Sequence, residues 1–184
     1  MKNQLIRFAT DADIDAMLAI YAYYVQHTSV TFDHETPSLE KFKEKINSLQ
    51  KQFPVLVYAI DGEIVGYAYA SLFREKRAYQ WTVETTIYLK PSYKGSGIGS
   101  QLYSSLFDIL RKQHIRYAIA VITIPNDESL LFHQKFGFEH AGTLEEIGYK
   151  MNQWWSITMM RKCLLENNSP VLDPIAISEM ELLS

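Results

Sequence analysis

The run Lys94-Gly95-Ser96-Gly97-Ile98-Gly99-Ser100 is the densest cluster of chemistry-bearing backbone in this chain. It follows an alternating segment that ends at Leu89 and leads straight into a helical stripe at Ile98, Leu102, Leu106, Ile109 and Leu110. Glycines let a backbone approach a ligand closely, and the first amides of a helix have no partner one turn back, so such a turn is a ready anion site that fits a pyrophosphate. A helix-capping turn with no ligand uses similar residues. Two other nucleotide loops fail on spacing: the dinucleotide fingerprint needs G-x-G-x-x-G, and a P-loop needs a terminal Gly-Lys-Ser/Thr.

Around this turn stand side chains able to move protons or hold charge. Glu84 lies in residues 80–89, whose period of two puts Trp81, Val83, Thr85, Ile87 and Leu89 on one face and Thr82, Glu84, Thr86 and Tyr88 on the other. His133 lies in a short helical segment introduced by Asn126 and Ser129, running to Lys135 and terminated by Gly137. Arg74, Lys76 and Arg77 form a basic run in a hairpin loop, which reads equally as solvated surface. No metal-ligand cluster is visible, and the single cysteine, Cys163, is far from these motifs.

The elements that must position these groups are legible from periodicity. Residues 5–10 alternate as a strand, and Thr10 and Asp11 cap a helix bearing Ile14, Met17, Leu18, Tyr21 and Val25. After Pro37, Ser38 caps a second helix with its stripe at Leu39, Phe42, Ile46 and Leu49. Residues 55–60 and 64–70 form a hairpin about Asp61-Gly62. Residues 117–123 are a near-continuous apolar strand, and two more strands are expected near 138–144 and 155–162. From about Asn167 the pattern turns to polar residues and prolines, then to the acidic, leucine-tipped 178–184, which reads as a tail partly disordered or docked on a neighbour.

With 184 residues, 47% apolar and 21% charged, the chain suits one globular domain. A formal charge of -3 with interspersed signs argues against nucleic acid as a partner. No apolar stretch is long enough to span a bilayer and no signal sequence is evident, so a cytoplasmic location is the expectation.

The sequence resembles the GNAT acetyltransferase superfamily, whose pyrophosphate loop reads Gln/Arg-x-x-Gly-x-Gly/Ala. Gly97 and Gly99 match, Lys94 stands at the Gln/Arg position, and Asn126 with residues 132–138 is similar to the family's Asn and Leu-Tyr-x-Lys-x-Gly-Phe segment. Thr31-Phe32-Asp33, Ser71-Leu72-Phe73-Arg74, Ala78-Tyr79, Trp81-Thr82-Val83-Glu84 and Gly148-Tyr149-Lys150 with Trp154 look like the phosphinothricin acetyltransferase branch, in the same order. The likeness covers roughly residues 5–164. It departs at Lys76, where Arg is usual, at Ser156, where Asp is usual, and in the tail.

The resemblance implies a mixed α/β GNAT fold, an acyl-CoA N-acyltransferase architecture of about seven mostly antiparallel, twisted strands flanked by helices. It implies a catalytic domain at 1–165 with a tail at 166–184, acetyl-CoA as co-substrate without a metal, and a homodimer. Glu84 would accept the amine proton and His133 would act near the sulfur of CoA. The backbone of Ile87, Tyr88 and Leu89 would pair with the pantetheine arm, residues 94–100 would cradle the pyrophosphate, and Asn126 would bond the pantetheine amides or serve as a plain helix cap. Arg74 would receive an anionic group of the acceptor, with Phe32, Tyr79, Thr82 and Val83 as lining. The expected reaction is direct N-acetylation of a small amino-acid-like acceptor of the phosphinothricin, methionine sulfoximine or methionine sulfone type. The alternatives are acetylation of a polyamine, an aminoglycoside or a protein N-terminus, or a non-catalytic acyl-CoA sensor.

Overall fold

A computed structural model describes residues 3–166 and 170–180. Seven strands, β1 (Gln4–Phe8), β2 (Val55–Ile60), β3 (Glu63–Leu72), β4 (Thr82–Leu89), β5 (Tyr117–Ile124), β6 (Glu139–Lys150) and β7 (Gln153–Cys163), make one sheet in the order β1-β2-β3-β4-β5-β7-β6. Neighbours are antiparallel except β4 and β5, which run parallel. Helices α1 (Ile14–His27) and α2 (Leu39–Leu49) cover one face, and α3 (Ile98–Lys112) and α4 (Asp127–Lys135) cover the other.

Strand alternation sorts the core into these two layers. Leu56, Tyr58 and Ile60 pack with Leu102, Leu106 and Leu110 of α3, whereas Val55, Val57 and Ala59 pack with Met17, Ile20, Phe42 and Ile46 of α1 and α2. On β4, Val83 belongs to the α3 layer and Tyr88 to the α1–α2 layer. Glu84, with the parity of Tyr88, therefore points to the side of α1 and α2.

Local chemistry explains the element ends. The Ser38 hydroxyl accepts from the Lys41 amide at 3.3 Å and caps α2. Asp61 and Gly62 both have positive φ, 51° and 86°, as a tight hairpin turn requires. Arg7 donates to both carboxylate oxygens of Asp13, at 2.6 and 2.7 Å, which ties β1 to the start of α1 and holds the Asp13 carboxyl at about 2, below its ordinary range.

Three parts of the sequence reading change. Gln80 and Trp81 lie outside β4, because a short 3-10 turn at Arg77–Tyr79 precedes them. β6 and β7 are longer than expected and close on Met151 and Asn152, whose φ values of 52° and 60° make a tight turn without the usual glycine. The described C-terminal stretch lies on its own chain: the Trp81 indole donates to the Leu172 carbonyl at 2.7 Å, the Ile175 amide to the Gln113 carbonyl at 3.1 Å and the Ile177 amide to the Gln52 carbonyl at 3.0 Å. Residues 167–169 and 181–184 of the expected tail lie outside the described residues. Among the described residues no helix is long and apolar enough to cross a membrane.

Candidate active site

β4 and β5 pair at only three positions: Thr82 with Tyr117, Val83 with Ala118 and Glu84 with Ile119. Beyond them β4 stays with β3 as far as Leu89, while β5 stays with β7 as far as Ile124. The strands thus part just after Glu84. The Lys90 amide bonds to the Val65 carbonyl at 2.8 Å. Alternation along the antiparallel ladder then turns the backbone groups of Thr86 and Tyr88 toward β3 and those of Thr85, Ile87 and Leu89 toward the open side. An extended, amide-bearing arm can add there as a strand. Tyr88 differs from expectation: its backbone faces Tyr67, and it is the residue as a whole that lines the opening.

The parted strands hold a cleft of about 380 Å³ lined by Glu84–Tyr88 of β4 and Ala120–Thr123 of β5, closed by Phe32, Asn126 and His133. A smaller recess of about 130 Å³ shares Val30, Ile87, Asn126 and Ser129 with it and runs past Leu89 to Lys94 and Gly99. One groove therefore joins the fork to the glycine-rich loop.

In that loop Gly95 and Gly97 have φ of 72° and 83°, and a Cβ on either would meet no atom within 4 Å. Glycine is required there by backbone conformation rather than by crowding. Gly97 caps α3 with no side-chain bond, and the first helical bond runs from the Gln101 amide to the Gly97 carbonyl at 3.2 Å. The amides of Ile98, Gly99 and Ser100 therefore have no acceptor in a preceding turn. Gly99 is a matter of space: a Cβ would stand 3.3 Å from the Phe132 ring, so its absence lets α3 lie close to α4. The Lys94 ammonium is 3.4 Å from the Glu128 carboxylate and 5.9 Å from the Tyr24 ring centre, at the wall of the recess. Asn126 caps α4, accepting from the Ser129 amide at 3.2 Å, and lines cleft and recess together, so its capping role and a ligand contact are compatible.

Burial sets the protonation states. Desolvation raises the Glu84 carboxyl above its ordinary range, with the positive charge of Lys45 opposing. Desolvation lowers His133, opposed by its bond to Ser129. His133 Nδ1 lies 2.8 Å from the Ser129 carbonyl, which can only accept, so Nδ1 carries the hydrogen and Nε2 accepts from the Tyr103 hydroxyl at 3.1 Å. Tyr103 is wholly buried and its phenol is pushed well above the usual range, so it stays protonated. On the opposite side of the fork, the Tyr21 hydroxyl donates to Asp33 at 2.5 Å, and the Lys150 ammonium donates to the Thr31 carbonyl at 2.7 Å.

The structure gathers Phe32, Glu84, Ile87, Tyr88, Asn126 and His133 on the cleft, and Leu89, Lys94 and Gly99 on the recess, with Gly95, Ser96, Gly97, Ile98 and Ser100 at its loop end. It does not bring Arg74, Tyr79, Thr82 or Val83 there. The Arg74 guanidinium lies over Phe73 and Tyr79, 5.1 and 5.9 Å from their ring centres, on the connection at the far end of β4. Thr82 precedes the fork and lines a separate pocket with Trp81, His114 and Leu172. Val83 has the parity that buries it under α3. The sequence reading missed Tyr21, Lys45, Tyr69 and Tyr103 as cleft residues. Tyr21, on the apolar stripe of α1, and Tyr103, beside that of α3, read as core from spacing alone.

A helix mouth able to grip a diphosphate, joined by one groove to a pair of parted parallel strands with a half-buried carboxylate at the fork, defines a transferase that uses an acyl-CoA thioester. The chain belongs to the GNAT acetyltransferases: the Acetyltransferase (GNAT) domain family matches residues 6–159. It is 37% identical over 163 residues to the phosphinothricin N-acetyltransferase of Streptomyces coelicolor, covering 86% of this chain and 95% of that protein. It is 31% identical to the L-methionine sulfoximine/L-methionine sulfone acetyltransferase of Salmonella typhimurium, covering 90% and 97%. Among solved structures, a GNAT superfamily phosphinothricin acetyltransferase from Sinorhizobium meliloti in complex with acetyl-CoA superposes with a TM-score of 0.87 at 31% identity, covering 94% of this chain and 93% of that one.

Proposed function

We propose that the protein transfers the acetyl group of acetyl-CoA to the amino group of a small amino-acid-like acceptor of the phosphinothricin, methionine sulfoximine or methionine sulfone type. The observation that carries this reading is the position of Glu84, the last residue paired across β4 and β5 and a carboxylate whose proton affinity burial raises. The loop amides of residues 97–100 hold the diphosphate, the backbone of Ile87 and the Leu89 amide align the pantetheine arm while the Leu89 carbonyl accepts from the Tyr24 hydroxyl at 2.6 Å, and Asn126 bonds the arm's amides. Glu84 accepts the proton of the acceptor ammonium, directly or through water, as the amine nitrogen bonds to the acetyl carbon and the carbon–sulfur bond breaks. As the thiolate leaves, the Tyr103 hydroxyl gives up its bond to His133 Nε2 and turns its one hydrogen to the departing sulfur.

Direct transfer is supported by the position of Cys163, exposed at the end of β7 and absent from the cleft lining, which leaves no thiol there to carry the acetyl group. An amino-acid acceptor is supported by Lys45, a cation facing the same cleft as the carboxylates of Asp33 and Glu84. A site built for polyamines or aminoglycosides would be dominated by carboxylates. Dimerisation belongs to the same reading and is supported by exposed Leu144, Ile147, Tyr149 and Trp154 on the β6–β7 hairpin, at the sheet edge. So does a cytoplasmic location, where the co-substrate is made and used.

Thiol release from acetyl-CoA with purified protein and a panel of amines tests the assignment. Saturable release with methionine sulfone or phosphinothricin supports it. Release with polyamines alone replaces the acceptor, and binding of acetyl-CoA without turnover on any amine makes the protein a sensor.

A further inference from the structure

Lys45 is a cation of the cleft. It stands on α2, and its ammonium lies 5.5 Å from the centre of the Tyr69 ring and 5.9 Å from that of Tyr21, with Glu84, Asp33 and Tyr69 lining the same space. Other lysines near the groove are engaged with oxygen: Lys150 with the Thr31 carbonyl, Lys94 with Glu128. Among the described residues Lys45 has no hydrogen bond or ion pair; the two ring faces are what hold it. It is exposed on α2 and faces Glu84 across the cleft, where its charge opposes the rise that burial imposes on that carboxyl.

An α-amino acid carries its carboxylate one carbon away from its amine. When the amine is placed at Glu84, that carboxylate enters the same small cleft, beside the charges of Glu84 and Asp33, and needs a counter-charge. Arg74 lies over the Phe73 and Tyr79 rings and is not part of the cleft lining. We propose that Lys45, presented by the Tyr21 and Tyr69 rings, receives the α-carboxylate of the acceptor and makes the enzyme selective for free amino acids over amines that lack that group. The proposal rests on the acceptor reading given above.

The test compares methionine sulfone with its α-carboxamide in the full-length protein, as wild type, Lys45→Met and Lys45→Arg. The quantity followed is the acid-to-amide ratio of kcat/KM, each variant relative to wild type, so the different basicity of the two amines cancels. Lys45→Met lowers that ratio roughly 10- to 100-fold, the range of a lost charge-assisted hydrogen bond, through a higher KM for the acid, and Lys45→Arg restores most of it. Equal losses on acid and amide, or no loss, overturn the role of Lys45 alone. A wild-type enzyme that acetylates neither compound but turns over another amine overturns the acceptor reading and this proposal with it.

Discussion

Glu84 and Ile119 form the last pair of the β4–β5 ladder, and everything that gives the cleft its shape happens beyond them. Before that pair the parallel strands are locked by backbone bonds; after it, β4 follows β3 and β5 follows β7. The carboxylate therefore stands at the fork, on the side of α1 and α2, with the glycine-rich loop and α4 on the other.

Glu84→Gln removes the proton acceptor while keeping the shape, and kcat falls on the order of 10²- to 10⁴-fold with acetyl-CoA affinity retained. Because burial raises the Glu84 carboxyl, the base is formed only above the ordinary carboxylate range, so wild-type kcat/KM climbs with pH through that raised value. The variant loses this acidic limb. A pH profile in which both proteins keep the same limb removes Glu84 from the base role.

Tyr103 and His133 act as one unit, joined at 3.1 Å. Tyr103→Phe and His133→Phe each reduce kcat on the order of tenfold or more, and the double variant is no slower than the slower single one. Since burial lowers His133 and keeps it neutral, wild-type kcat shows no inflection near an ordinary imidazole value of about 6.5. Additive losses, measured by steady-state kinetics, contradict the coupling.

Much of this site can be read from sequence because the chemistry is local. The φ requirement of Gly97, the capping oxygens of Ser38 and Asn126, and the parity that sets Glu84 opposite Val83 are each written within a few residues. Tyr21, Lys45 and Tyr69 are different: they come from α1, α2 and β3, and only the packing of those helices on the sheet makes them neighbours. Val83 shows the reverse failure, since a motif match alone does not say which face a strand residue takes. The length of β6 was hidden by the irregularity between Leu144 and Gly148 and by a turn at Met151-Asn152 that lacks glycine.

Gly148 sets the position of Phe32. A Cβ there would stand 2.2 Å from the ring, so Gly148→Ala forces Phe32 to move at the wall of the cleft. Overpacking of this kind costs roughly 1–3 kcal/mol, seen as a lower melting temperature. The KM for the acceptor rises while that for acetyl-CoA is unchanged. An unaltered acceptor KM contradicts the placement of Phe32 on the acceptor side.

Calorimetric titration with an unreactive thioether analogue of acetyl-CoA, on wild type and Gly97→Ala, measures the grip of the loop itself. Wild type gives saturable heat with one site per chain and a raised melting temperature. The variant binds roughly tenfold more weakly, since alanine resists the left-handed backbone that Gly97 adopts at a φ of 83°. A wild-type protein that gives neither heat nor a melting shift contradicts acyl-CoA binding at this loop.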